Sequence, residues 1–210
     1  MKIANISTSQ SGQTLIETLV GLSVLVTGIV AGLSLAIFSF SGISDASQSD
    51  VASGFAREGI EAVRRLRDSN WLAGTISDCS GIPCYPLWLS APYDITGAAG
   101  TGKEYRVIFN PSASSNKWTI SLANSGTDFR LYVQSAGAYT HTVSANPTPF
   151  SRKINIIYAS TASPYDATSP LVLARSTVWW TGRRCPAVSD PSLTTCKIVS
   201  EIYLTNWKNY

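Results

Sequence analysis

Residues 12–17 read GQTLIE, and residues 18–38 continue as TLVGLSVLVTGIVAGLSLAIF. From Thr18 to Ser44 no side chain carries a charge. As a helix rising about 1.5 Å per residue, this run exceeds the roughly 30 Å hydrocarbon core of a bilayer. It is also longer than the roughly 7–15 residues of a signal-peptide apolar region. Glu17 stands at its mouth, where a carboxylate is expensive in lipid and gives a plain anchor nothing. The function of that charge decides how the chain is understood.

The segment before the run, MKIANISTSQSG, carries only Lys2, whereas Asp45, Asp50 and Arg57 lie beyond it. The positive-inside rule places such an N-terminus in the cytoplasm and the bulk of the chain beyond the membrane. No second membrane-length segment occurs later in the sequence. A single-span signal anchor explains the hydropathy alone. It does not explain Glu17, the missing A-x-A cleavage pattern after Gly12, or a helical pattern that continues without proline as far as Pro83.

Those residues carry a resemblance. Gly12-Gln13-Thr14-Leu15-Ile16-Glu17 followed by the apolar run resembles the class III signal of type IV pilins and pseudopilins. The likeness covers roughly the first quarter of the chain, and it joins cleavage glycine, T-L-I-E and span length in one segment. It implies a leader over residues 1–12, cut between Gly12 and Gln13 by a prepilin peptidase, and N-methylation of Gln13. It places Glu17 at the fifth mature position, the assembly carboxylate of that family. One departure stands: Gln13 occupies a position where the family usually has phenylalanine. The phrase REGIEAVRRLRDSNW also resembles the segment after the span in some bacterial prepilin-type proteins, less specifically.

A physical reason stands beside the resemblance. If apolar helices of many subunits pack together, Glu17 meets a neighbour's protonated N-terminal amine. A buried charge is tolerated when paired and costly alone, so the pair favours one axial register. Gly21, Gly28 and Gly32 permit close helix approach, with Gly28 and Gly32 forming a G-x-x-x-G pattern. Each also weakens the helix by about 1 kcal/mol relative to alanine. Glycines are frequent in membrane helices in any case, so the pattern alone does not specify pairing.

Beyond the run, DVASGFAREGIEAVRRLRDSNW keeps helical spacing. Val51, Phe55, Ala62, Val63 and Leu66 form an expected apolar stripe. Arg57–Glu61, Glu61–Arg65 and Arg64–Asp68 are expected pairs four residues apart, each contributing a few tenths of a kcal/mol. Arg64, Arg65 and Arg67 read as a solvated face rather than an anion site. One helix over residues 13–72, with its transmembrane part at about 18–44, would be near 90 Å long, half in lipid and half under a head.

Residues 73–210 form the expected extracytoplasmic head. EYRVIF, KWTISL, DFRLYV, RKINIIYA, LVLARSTVWW and CKIVSEIYLTNW are rich in β-branched and aromatic residues. NPSASSN, ANSGT and NPTPF separate them as turns. Short turns favour antiparallel pairing, so the expected fold class is α+β: a long N-terminal helix packed on an antiparallel sheet, pilin-like. The last two strands read as a terminal hairpin.

The four cysteines fit no tight zinc knuckle. Outside the membrane an even set forms disulfides. Cys79–Cys84 and Cys185–Cys196 are the favoured pairs, with the other two connectivities open. Gly97–Gly102-Lys103 approaches a phosphate loop, but Glu104 replaces the magnesium-binding hydroxyl and would repel phosphate, which leaves a turn. His141, the only histidine, is expected at the surface or across from another strand. The aspartates Asp45, Asp50, Asp78, Asp94, Asp128, Asp166 and Asp190 show no calcium-loop spacing. Trp179, Trp180 and Trp207 suggest an adhesive patch or, more simply, core and subunit interface.

Net charge is +3 and charged residues make up 14%, against roughly 25% in ordinary soluble chains. No specific nucleic-acid partner is expected. The expectation is a structural subunit, major or minor, of a type IV pilus or secretion-like filament, without enzymatic chemistry, cofactor or metal. Its implied partners are prepilin peptidase, other pilin or pseudopilin subunits, the assembly machinery and, through residues 18–44, the membrane. It would be a single-pass cytoplasmic-membrane protein with a cytoplasmic N-terminus, then a surface or pilus component. The alternative is a signal-anchored surface binding protein that does not polymerise.

Overall fold

The computed structural model describes residues 13–73, 88–90, 92–114, 117–124, 126–134, 137–166 and 169–206. The leader with Gly12, the Cys79–Cys84 pair and Trp207 lie outside these residues. Contacts divide the chain into two compact units, Met1–Ala46 and Ser47–Tyr210, and the division falls inside the helix α1, Gln13–Ala73.

In the second unit, α1 packs on a curled seven-stranded antiparallel sheet, an α+β arrangement. The strands are β1 (Lys103–Phe109), β2 (Trp118–Leu122), β3 (Arg130–Val133), β4 (Tyr139–Thr140), β5 (Pro147–Ser160), β6 (Leu171–Trp180) and β7 (Lys197–Leu204). The sheet is built around β5. One edge of β5 pairs along its length with β6, which in turn pairs with β7. The other edge is divided: β1 takes Ile154–Ile156 and β3 takes the earlier residues, Pro147 and Ser151. β2 extends from β1 and β4 from β3.

All six expected strand segments contain strands, since alternation of β-branched residues reports a face buried on one side. NPTPF differs. It is the start of β5, where Pro147 opens the strand and the register with β3 shifts. Proline is tolerated at a strand's first residue and beside such irregularities, because the missing N–H is not demanded there.

The stripe that α1 buries runs Ala52, Ala56, Gly59, Val63, Leu66 and Asn70, flanked by Phe55, Ile60 and Ala62. Val51, expected on it, is 43% exposed. Close approach is the reason: small residues hold the seam. A Cβ at Gly59 would lie 2.5 Å from Ser176 Oγ and 2.8 Å from Ile154 Cδ1. The expected four-residue ion pairs are replaced by Glu61–Arg64 at 2.7 Å and Arg67–Asp68 at 3.0 Å. Arg67 also lies 4.5 Å from the centre of the Trp71 ring.

Two apolar clusters lie between helix and sheet. One gathers Val63, Leu66, Trp71 and Trp88 against Tyr105, Ile154 and Ile156. The other gathers Ala52, Phe55 and Ala56 against Leu131, Phe150 and Trp180. Asn70 fastens the end of the helix. Its amide donates to the carbonyls of Trp88 and Tyr93 (2.9 and 2.8 Å), and its carbonyl accepts from the Tyr93 N–H at 2.9 Å.

Candidate functional site

The first unit presents the features on which the sequence turns. Every described side chain from Thr14 to Phe40 is exposed, including Leu19, Leu22, Leu25, Ile29, Leu33 and Ile37. An 18-residue window of the helix reaches a mean hydropathy of 2.3 with none of it buried, so α1 is long and apolar enough to cross a membrane. The hydroxyls in this run are satisfied by their own helix. Thr18 donates to the Leu15 carbonyl (2.9 Å), Ser23 to Val20 (2.8 Å), Thr27 to Ser23 (2.9 Å) and Ser34 to Val30 (2.8 Å). Such back-bonding removes the cost of a polar group in lipid.

Gln13 is the first residue of α1 and Glu17 lies one turn further on, exposed. Gly21, Gly28, Gly32 and Gly42 have nothing against the position a Cβ would take. The fold of this chain therefore does not require them, and any close approach they serve involves something else.

In the head, a charged side chain occupies the inward face of the sheet. Thr148, Phe150, Arg152, Ile154 and Ile156 alternate inward along β5, and Arg152 is fully buried. Its Nη1 reaches Glu58 Oε1 on α1 at 2.8 Å and its Nη2 the Val107 carbonyl at 3.2 Å. Glu58 keeps a partly exposed side chain, 35%. Alternation in RKINIIYA puts Arg152 on the face of Ile154 and Ile156, but it carries no signal for the partner, which lies far away in the chain on α1.

Of the two placements expected for His141, the surface is excluded, since it is 4% exposed, and it lies across from β3. Its Nδ1–H donates to the Arg130 carbonyl at 3.1 Å, while Nε2 has no partner among the described residues. Burial and then the Arg152 guanidinium push its pKa down to about 3. It is held neutral, and no nucleophile is bonded to it among the described residues. Trp179 and Trp180 are both buried, so the aromatic patch is not a bare surface. Gly97–Lys103 forms a turn leading directly into β1, with Gly100 and Gly102 at φ of 72° and 73°. Lys103 Nζ donates to Thr96 Oγ1 at 2.6 Å and Glu104 pairs with Lys153 at 2.8 Å.

Cys185 and Cys196 are bridged, closing the loop between β6 and β7. Among the described residues no group of three or more His, Cys, Asp or Glu side chains is placed to hold a metal. Among the described residues, concavities of two sizes lie on the outer face of the sheet. The larger, about 750 Å³, crosses β1, β5, β6 and β7, and within it Glu104 pairs with Lys153 and Arg175 with Glu201, while Asp190 and Lys197 bond to backbone. The smaller, about 520 Å³, lies where β3 and β5 meet the disulfide loop. Compared with protein-family models, with curated proteins and with solved structures, the chain returns no match.

Proposed function

We propose that the chain is a prepilin-type filament subunit, cut between Gly12 and Gln13, held in the cytoplasmic membrane by the apolar part of α1 and then drawn into a pilus or pseudopilus. The observation that carries this is the conjunction at the start of α1. A carboxylate sits one turn from its first residue, and an unburied apolar surface with unopposed glycines lies beyond it. A lipid anchor accounts for the apolar surface alone. A filament core accounts for the carboxylate as well, because a neighbour's N-terminal ammonium compensates it.

In this proposal the N-terminus starts in the cytoplasm and the head lies outside. The partners are prepilin peptidase, other pilin or pseudopilin subunits and the assembly machinery. Gln13 is the methylated terminus. The role of the head is structural, and its loops give the filament its surface.

Sheared surface filaments from cells carrying wild-type chain or Glu17→Ala test the proposal. Both forms should be processed, and the variant should be depleted from filaments by about tenfold or more, the cost of leaving one partner of a buried ion pair alone. Equal incorporation of the variant would remove the pairing role. Retention of the wild-type chain in the membrane, with none in filaments, would favour a non-polymerising signal-anchored surface protein.

A further inference from the structure

The smaller outer concavity has the composition of a ligand site. Its floor is a cross-strand row fixed by register: Arg130 on β3 faces Ser151 on β5, which faces Trp179 on β6. One wall is the segment Gly126–Phe129 and the other is Ala187–Ser189, within the loop closed by Cys185–Cys196. Trp179 is anchored rather than mobile, its Nε1 donating to the Val188 carbonyl at 3.0 Å. The half-buried ring of Phe129 meets Trp179 edge-on, centroids 6.1 Å apart at 60°.

The polar groups of this cleft are not used up. Ser151, Thr181 and Ser189 make no side-chain hydrogen bond among the described residues. Arg130 spends its Nε on the Thr148 carbonyl at 3.0 Å, which orients the guanidinium and leaves its terminal nitrogens available. Asp128 is set by the Arg130 N–H and the Tyr132 hydroxyl, at 2.9 and 3.1 Å. The larger groove differs, since Glu104 and Glu201 already pair with Lys153 and Arg175, and Asp190 and Lys197 are held by backbone groups.

We propose that this cleft binds a neutral saccharide. The opposite charges of Asp128 and Arg130 cancel, which disfavours a simple anion or cation. A carboxylate and a guanidinium beside three free hydroxyls supply donors and acceptors for the hydroxyls of a sugar ring. The half-buried ring of Phe129, backed edge-on by the buried Trp179, offers the C–H face of that ring a surface. A purely apolar ligand would leave these polar groups desolvated and unpaired. An extended peptide would seek an open strand edge, whereas the central floor strands β5 and β6 are paired on both sides. The volume of about 520 Å³ lies within the roughly 300–1,000 Å³ of small-molecule sites. This site does not depend on filament formation, so the two proposals fail independently.

The test uses the full chain in a polyoxyethylene-ether detergent, which carries no sugar headgroup. Maltotriose, lactose and N,N′-diacetylchitobiose are titrated separately by calorimetry, with saturation-transfer NMR to identify ring protons in contact. At least one should bind with a Kd of about 1 mM or tighter. Asp128→Asn, which keeps the acceptor to Arg130, and Ser151→Leu, which fills the floor, should each weaken binding about tenfold or more. Glu201→Gln, in the other groove, should leave it unchanged. Circular dichroism matching wild type shows each variant folded. Absence of saturable binding by all three sugars overturns the proposal. So does binding that survives both cleft variants, or that is lost in Glu201→Gln.

Discussion

Arg152 poses the main polar problem inside the head. Its guanidinium is fully buried and its ionic partner, Glu58, stays partly in contact with water. Removing only the carboxylate strands a buried cation, and removing the cation does not. Glu58→Ala should therefore cost about 2–4 kcal/mol in urea unfolding, discounted for the exposure of Glu58, whereas Arg152→Met should cost less. The reverse order would mean that the pair is not what compensates the charge. His141 lies in the same region, influenced by Arg152, Arg106 and Asp128. Its folded pKa of about 3 is below the ordinary 6.5. Below pH 6.5 the unfolded chain takes up a proton that the folded chain refuses, so stability falls as pH drops from 6.5 toward 3. The slope approaches about 1.4 kcal/mol per pH unit. His141→Gln should flatten that slope between pH 6.5 and 5 by up to this amount, measured by denaturant unfolding. Identical slopes would contradict a buried neutral imidazole. Alternation puts Arg152 on the face of Ile154 and Ile156, so its side was legible; its partner Glu58, far away in the chain, was not, nor was the burial of the histidine between threonines, which only tertiary packing brings about.

At the scale of elements, α1 does two things with its small residues. Gly59 is needed by this chain, since a Cβ there would press on Ser176 and Ile154. Gly28 faces nothing in it. Gly59→Ala should destabilise the head by about 1–3 kcal/mol through overpacking. Gly28→Ala should leave its stability unchanged while raising local helix propensity by about 1 kcal/mol. Thermal melts of both variants distinguish them, and equal melting temperatures would contradict the close helix–sheet seam at Gly59. Four of the five expected stripe residues, Phe55, Ala62, Val63 and Leu66, are buried; the seam explains why Val51 is not, since contact distance selects Ala52, Ala56 and Gly59 instead. The strands were more legible, because alternation in β1 and β7 reports burial directly, while β6 is buried on both faces along most of its length. The start of β5 was hidden by Pro147 and Pro149, whose turn signal is overridden by a register shift beside β3. At the same end of the sheet, the Cys185–Cys196 bridge closes the short loop between β6 and β7. Cys185→Ser with Cys196→Ser should lower stability by about 3 kcal/mol in the chain-entropy account, read by guanidinium unfolding.

Across the whole molecule, the fold class was readable because two periodicities separate cleanly. An uncharged helical run and a helical stripe precede period-two strands, and the structure is α+β accordingly. A functional proposal could be drawn only where chemistry is concentrated in sequence, at GQTLIE and the apolar run after it. The head carries no comparable local signature. Its outer cleft is assembled by register from residues far apart in the chain, Arg130, Ser151 and Trp179, and becomes visible only when the sheet is built. Under the proposed function, Glu17 and the unburied apolar helix serve processing and assembly rather than anchoring alone. Mass spectrometry of the N-terminal peptide of the mature chain puts this to the test. The expected peptide begins at Gln13 and carries an added methyl group on its α-nitrogen. A mature chain that retains Met1, or one cut beyond residue 44, would contradict it.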